Sequence, residues 1–136
     1  MIVLASKSPR RKEILKDLGY DFIVCPAKKD EVFDLSLGLD EALKKVAESK
    51  AKEVREFYSD SIIISADTIV CLDQKILGKP KSKEDAIKTL NALSNRRHQV
   101  KTGVCVIYKN QTFLLNLIAH FHLSNMYIIF ESHQTK

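Results

Sequence analysis

Asp67 stands directly after the apolar run Ile62-Ile63-Ile64-Ser65-Ala66. A carboxylate emerging from the end of a buried strand in an α/β protein is well placed for proton transfer or metal work. The plainer alternative is an aspartate that closes a strand-ending turn. Lys50 is the second residue of interest. On a wheel of about 100° per residue the apolar positions from Leu39 onward span about −20° to +120°, and Lys50 falls at about +20°, inside the stripe. A buried unpaired ammonium is expensive, so Lys50 requires an anion, either a structural carboxylate or a ligand phosphate. A lysine snorkelling at the rim is the simple competitor. The third group is Ser6-Lys7-Ser8-Pro9-Arg10-Arg11. Unpaired N–H groups and the dipole at a helix N-terminus make an anion site. Arg10 and Arg11 would add bidentate phosphate contacts there. Cations in a first helical turn oppose the dipole, a cost that a bound anion would offset. Two solubilising arginines are the bland reading. Lys79, in Gly78-Lys79-Pro80, adds a cation on a rigid loop, and His98 reads as a structural rather than a catalytic histidine.

These residues need elements to carry them. Ile2–Ala5 reads as a short buried strand. Ser8 is a helix N-cap, with Pro9 at the first helical position, where its missing N–H costs nothing. Ile14, Leu15 and Leu18 form a helical stripe that Gly19 terminates. Phe22–Cys25 is strand-like and Pro26 ends it; 27–38 is a charged loop. Leu39–Tyr58 is the clearest helix, with Leu39, Leu43, Val46, Ala47, Ala51, Val54 and Phe57 at helical spacing. Ser61–Ser65 is a buried strand, and Ile69–Leu72 with Lys75–Leu77 is a hairpin around Asp73-Gln74. Ser82 starts a capped helix through Leu93, and Val100–Tyr108 is a strand. Alternating strands and helices give an α/β fold.

The 136 residues favour one domain. A net charge of +5, with acids and bases interspersed, suits an anionic partner such as a nucleotide. A nucleic-acid binder would need a basic helix face with interleaved aromatics, and aromatics are only 7%. Cys25, Cys71 and Cys105 lie far apart in apolar runs, with no CxxC or zinc spacing. They read as small core residues in a reducing cytoplasm, and no signal peptide is expected. From Asn110 to Phe130 there is no Asp, Glu, Lys or Arg. Its Asn, His and Ser residues argue against a membrane span and for a core strand followed by an atypical tail.

Read together, the motifs resemble the Maf family, the septum-formation-inhibitor-like nucleoside triphosphate pyrophosphatases. Ser6-Lys7-Ser8-Pro9-Arg10-Arg11 matches S-x-S-P-R-R. Glu31 stands where the family has an acid before its long helix. Lys50-Ala51 matches K-A, Ala66-Asp67-Thr68 matches A-D-T, and Leu77-Gly78-Lys79-Pro80 matches L-G-K-P. The run from Leu93 to Val104 is similar to L-S-G-R-x-H-x-V-x-T-G-V, with Asn95 in place of a glycine. The resemblance covers residues 1 to about 109. It implies a Maf/inosine-triphosphatase-like mixed sheet flanked by helices, and hydrolysis of dTTP or UTP to the monophosphate and pyrophosphate with a divalent metal, Mg or Mn. It implies Asp67 as the proton acceptor, with Lys50 and Lys79 as cations on the phosphates. Ser6, Ser8, Arg10, Arg11 and Thr68 bind substrate, and Glu31 with Asp67 holds the metal. Arg10 and Thr68 match the branch preferring dTTP and UTP.

The family's D-K-A-G-x-Y-x-x-Q-G block has no counterpart after Asn110. The expected organisation is an incomplete Maf-like domain over 1–109 and a divergent tail over 110–136, from a replaced or out-of-frame terminus. The alternative to an enzyme is then a catalytically weak or inactive nucleotide-binding fragment that needs a partner chain. A homodimer is compatible with either reading; a stable nucleic-acid complex or membrane association is not expected.

Overall fold

The computed structural model describes residues 1–78 and 81–121, and the backbone of 122 and 132–135. The chain divides into two compact units. The first holds Met1–Asp67 and Gly103–Asn116. It contains β1 (Ile2–Leu4), α1 (Pro9–Asp17), β2 (Phe22–Val24) and α2 (Leu39–Arg55). The second holds Thr68–Thr102 and Leu117–Thr135. Strands β3 (Ile62–Leu72), β5 (Arg97–Tyr108) and β6 (Gln111–His122) run through both units. Strand β4 (Lys75–Leu77), helix α3 (Lys83–Leu93) and strand β7 (Ser132–Thr135) belong to the second.

In the first unit the strand order is β2-β1-β3-β5-β6. The β1 strand pairs in parallel with both neighbours, Val3 facing Ile23 on one side and Ile63 on the other. A strand buried on both sides should be continuously apolar, as Ile2-Val3-Leu4 is. Helix α2 lays Ala47, Ala51 and Val54 onto Val3, Ala5, Ile63, Cys105 and Ile107 to form the core. Burial pushes the Cys105 thiol up to about 11, so it stays protonated as a core residue.

Gly103 explains how closely α2 can approach. A Cβ there would lie 2.7 Å from both the carbonyl carbon and the oxygen of Leu43, and 3.0 Å from the Lys44 nitrogen. All three are backbone atoms and cannot rotate away. Gly103→Ala should therefore cost about 1–3 kcal/mol by forcing β5 off the helix. Urea denaturation checks this, and an unchanged midpoint would refute the close approach.

In the second unit β3 and β4 form an antiparallel hairpin, Val70 opposite Leu77 and Leu72 opposite Lys75. Its turn residues Asp73 and Gln74 both have positive φ, 52° and 68°. That is the backbone hand which matches strand twist in a two-residue turn. The Arg96 guanidinium donates to the Asp73 carboxylate. Asn95 sits at φ 55°, the left-handed region in which Asn is the best substitute for glycine. Ser82 caps α3 by accepting from the Asp85 N–H at 3.1 Å.

Several expectations need correction. The two strands expected around Asp67 are one, β3, so Asp67 lies within a strand and not at its end. Thr68-Ile69-Val70 resume the β-branched pattern and carry the strand on. Helix α2 stops at Arg55, where Phe57 and Tyr58 donate back to Val54 and Arg55, and Phe57 is 74% exposed. Helix α1 forms where its stripe predicts, and none of its residues is buried. It does end as expected, with Gly19 at φ 83°. Strand β5 starts three residues earlier than Val100, at Arg97. The segment considered for a membrane span supplies β6, and no described helix is long and apolar enough to cross a membrane.

Candidate active site

In the first unit three charged side chains meet. Lys50 projects from the middle of α2 and pairs with the carboxylate of Glu31, from the loop before the helix. Its Nζ also lies 3.3 Å from Asp67 Oδ1 on β3. The side chains of Lys50 and Asp67 are 19% and 12% exposed, while Glu31 is 48% exposed. Lys50 thus has the anion its place in the apolar stripe demanded, and the partners are two carboxylates.

Asp67 is under opposed influences. Burial raises its pKa above the ordinary aspartate value, and the negative Glu31 adds to that; Lys50 and Arg11 pull it down, without cancelling the rise. Two hard carboxylates facing one cation also suit Mg or Mn, which bind one or two carboxylates and take their remaining ligands from phosphate and water. Among the described residues no three His, Cys, Asp or Glu side chains gather into a metal cluster.

The turn after β1 builds the neighbouring wall. The Ser8 N–H donates to Ser6 Oγ at 3.2 Å, and Ser8 Oγ accepts the Arg11 N–H at 3.4 Å as the cap of α1. The Arg11 guanidinium turns back, donating to Ser6 Oγ at 2.9 Å and to the Ala66 carbonyl at 3.0 Å. Arg11 therefore joins the β1–α1 turn to β3 one residue before Asp67. Burial lowers its pKa, with Asp67 and Glu31 acting in the opposite sense. Arg10 is exposed on the first turn of α1.

Ser6, Ser8, Arg11, Glu31, Lys50 and Asp67 are thus assembled in one unit. In the second unit Thr68 Oγ1 lies 2.9 Å from Thr102 Oγ1. There His98 stacks on Phe121, with ring centroids 5.6 Å apart, and burial lowers its pKa; its Nδ1 is buried without a hydrogen-bond partner among the described residues. Stacking, not a hydrogen bond at Nδ1, is the structural role visible for this histidine. Lys79 lies outside the described residues.

Sequence reasoning overlooked two contributors. The Ala66 carbonyl is one. Glu53 is the other, its carboxylate accepting the N–H groups of Lys28 and Lys29 at 2.6 and 2.8 Å. Its spacing of three residues after Lys50, on one helix face, was the available signal.

A family model described as Maf-like protein matches residues 1–128, further along the chain than the motifs themselves extend. A dTTP/UTP pyrophosphatase of Halalkalibacterium halodurans is 41% identical over 110 residues, covering 81% of this chain and 58% of the relative. One from Caldicellulosiruptor saccharolyticus is 46% identical over 110 residues, covering 78% and 55%. A third, from Caldicellulosiruptor bescii, is 38% identical over 131 residues, covering 93% and 64%. The chain thus spans between about half and two thirds of the length of these relatives. The Staphylococcus aureus Ham1 protein shares the fold, with a TM-score of 0.57 at 19% identity, over 89% of this chain and 70% of that one.

Proposed function

Since the chain belongs to the Maf-like family, we propose that it is a nucleoside triphosphate pyrophosphatase acting on dTTP and UTP, with non-canonical nucleotides as a further substrate class. The observation that carries this reading is the meeting of Asp67, Lys50 and Glu31 beside the Ser6–Arg11 turn. The names of its relatives support the substrate class.

In this reading Asp67 is the general base. It accepts a proton from the attacking water as the bond between the α- and β-phosphates breaks and pyrophosphate leaves. A base with a raised pKa is better matched to neutral pH than an ordinary aspartate. Lys50 keeps Asp67 oriented and partly offsets its desolvation. The Ser6–Arg11 turn, with Arg10 and Arg11, supplies fixed positive charge and hydroxyls to the phosphates, and Lys79 adds a further cation. Thr68 contributes to substrate binding. Glu31 and Asp67 would hold a divalent metal, whose contribution is to neutralise phosphate charge.

The test is product analysis. The chain with dTTP or UTP and Mg or Mn should give monophosphate and pyrophosphate in equal amounts, and chelation of the metal should abolish the reaction. Release of orthophosphate, or turnover unaffected by chelation, would overturn the assignment. The partial coverage of the relatives favours one second reading, a nucleotide-binding chain without turnover. It predicts a melting temperature raised by triphosphate and metal through linkage, with no product.

A further inference from the structure

We propose that Glu53 is a positioning residue, whose carboxylate fixes the segment Lys28–Glu31 on α2 so that Glu31 reaches Lys50 and, through it, Asp67. The segment enters from the core: the Cys25 N–H donates to the Leu4 carbonyl at 3.0 Å, and Cys25 and Ala27 pack on the central cluster. It leaves through a single 3-10 turn, Leu35–Leu37, capped by Asp34. Between those ends Glu53 takes both backbone donors of Lys28 and Lys29, one on each carboxylate oxygen, at 2.6 and 2.8 Å. Hydrogen bonds to an ionised acceptor are short and about twice as strong as neutral ones. Two of them on one planar group fix orientation as well as position.

The spacing makes the attachment specific. Lys50 and Glu53 lie three residues apart on α2, hence on one face. The loop residues they grip, Glu31 against Lys29 and Lys28, are two and three residues apart. Helix and loop therefore run past each other with matched grips: Glu53 holds loop backbone and Lys50 holds the loop carboxylate. Accepting these bonds holds the Glu53 pKa below the ordinary glutamate value, which favours the ionised acceptor. A cavity of about 240 Å³ is lined by Lys29, Glu31, Lys50 and Glu53, among others from the same loop and helix. Without Glu53 a 48%-exposed Glu31 is held, among the described residues, by its Lys50 ion pair, and a single pair with one exposed partner orders a side chain weakly.

The kinetic consequence rests on the hydrolytic reading; the positional one does not. The test therefore has two arms, on the full chain. In the first, backbone ¹⁵N relaxation is compared for wild type, Glu53→Ala, Glu53→Gln and Glu48→Gln. Glu48 pairs with Lys52 at 2.6 Å on the same helix and serves as control. Glu53→Ala should lower the order parameters from Lys28 to Glu31, Glu53→Gln should lower them less, and Glu48→Gln should leave them unchanged. Unchanged order in Glu53→Ala would overturn the proposal whether or not the chain turns over. In the second arm, Glu53→Ala should lower kcat about tenfold with little change in KM. It should have no further effect in a Glu31→Ala background, because Glu53 acts only through Glu31. Equal loss in both backgrounds would also overturn it. Absence of turnover in wild type would count against the hydrolytic reading alone, leaving the relaxation arm to decide.

Discussion

Asp67→Asn should lower kcat by about 10²–10⁴ and leave the protein as stable as wild type, or more stable, at neutral pH. The two effects have one cause. Burial is the largest influence on Asp67 and it disfavours the charged form. The ionised carboxylate is thus held at a cost, and the neutral amide avoids it. Lys50 still has Glu31 to pair with. The sign of the pH dependence follows. The folded-state pKa lies above the unfolded one, so the native state binds more protons in the interval between them. Stability therefore falls as pH rises through that interval, from near the ordinary aspartate value of about 4 upward. The variant should lack this decline. Urea titrations from pH 4 to 8, alongside product assays, measure both quantities. The acid limb of kcat/KM in wild type should sit above the ordinary aspartate range for the same reason. A variant both inactive and several kcal/mol less stable would make Asp67 a structural residue.

The parts of this site that the sequence shows are those with a local signature. Ser8 and Pro9 announce a helix start because capping is chemistry within one turn, and the cap is there. Lys50 announces a need for an anion because a cation inside an apolar stripe conflicts with its surroundings. Which anion answers it depends on a loop 19 positions before and a strand 17 positions after, and periodicity carries no such information. Asp67 was placed at a strand end because an acid usually interrupts a strand; here the strand continues and the site takes the acid from its interior. Glu53 left only its spacing from Lys50, because a glutamate on a helix resembles any solvated charge and its partners are backbone N–H groups common to every residue. The α1 stripe announced its helix but not what covers it. Ile14 and Leu18 have helical spacing, but spacing does not say whether another element covers the face, and they are 52% and 65% exposed.

Lys50→Met is the strongest test of how the charges hold one another. Methionine roughly preserves volume, so the packing of the side chain on α2 survives. What is lost is the ammonium between two carboxylates, one of them buried. Removing one partner of a buried pair commonly costs 3–5 kcal/mol; with Glu31 half exposed, about 2–4 kcal/mol is expected at pH 8. Asp67 should respond by binding its proton more tightly, because Lys50 is the largest influence that lowers its pKa. As pH falls toward the ordinary aspartate range the carboxyl takes up its proton, in the variant before wild type, and the penalty should shrink. The expected result is a stability loss at pH 8 larger than that at pH 4.5, read from urea midpoints at each pH. The acid limb of kcat/KM should move to higher pH in the same variant, with the maximal rate reduced about 10²-fold. A loss of equal size at both pH values would assign Lys50 to packing, and would separate the chemistry of Asp67 from the cation beside it.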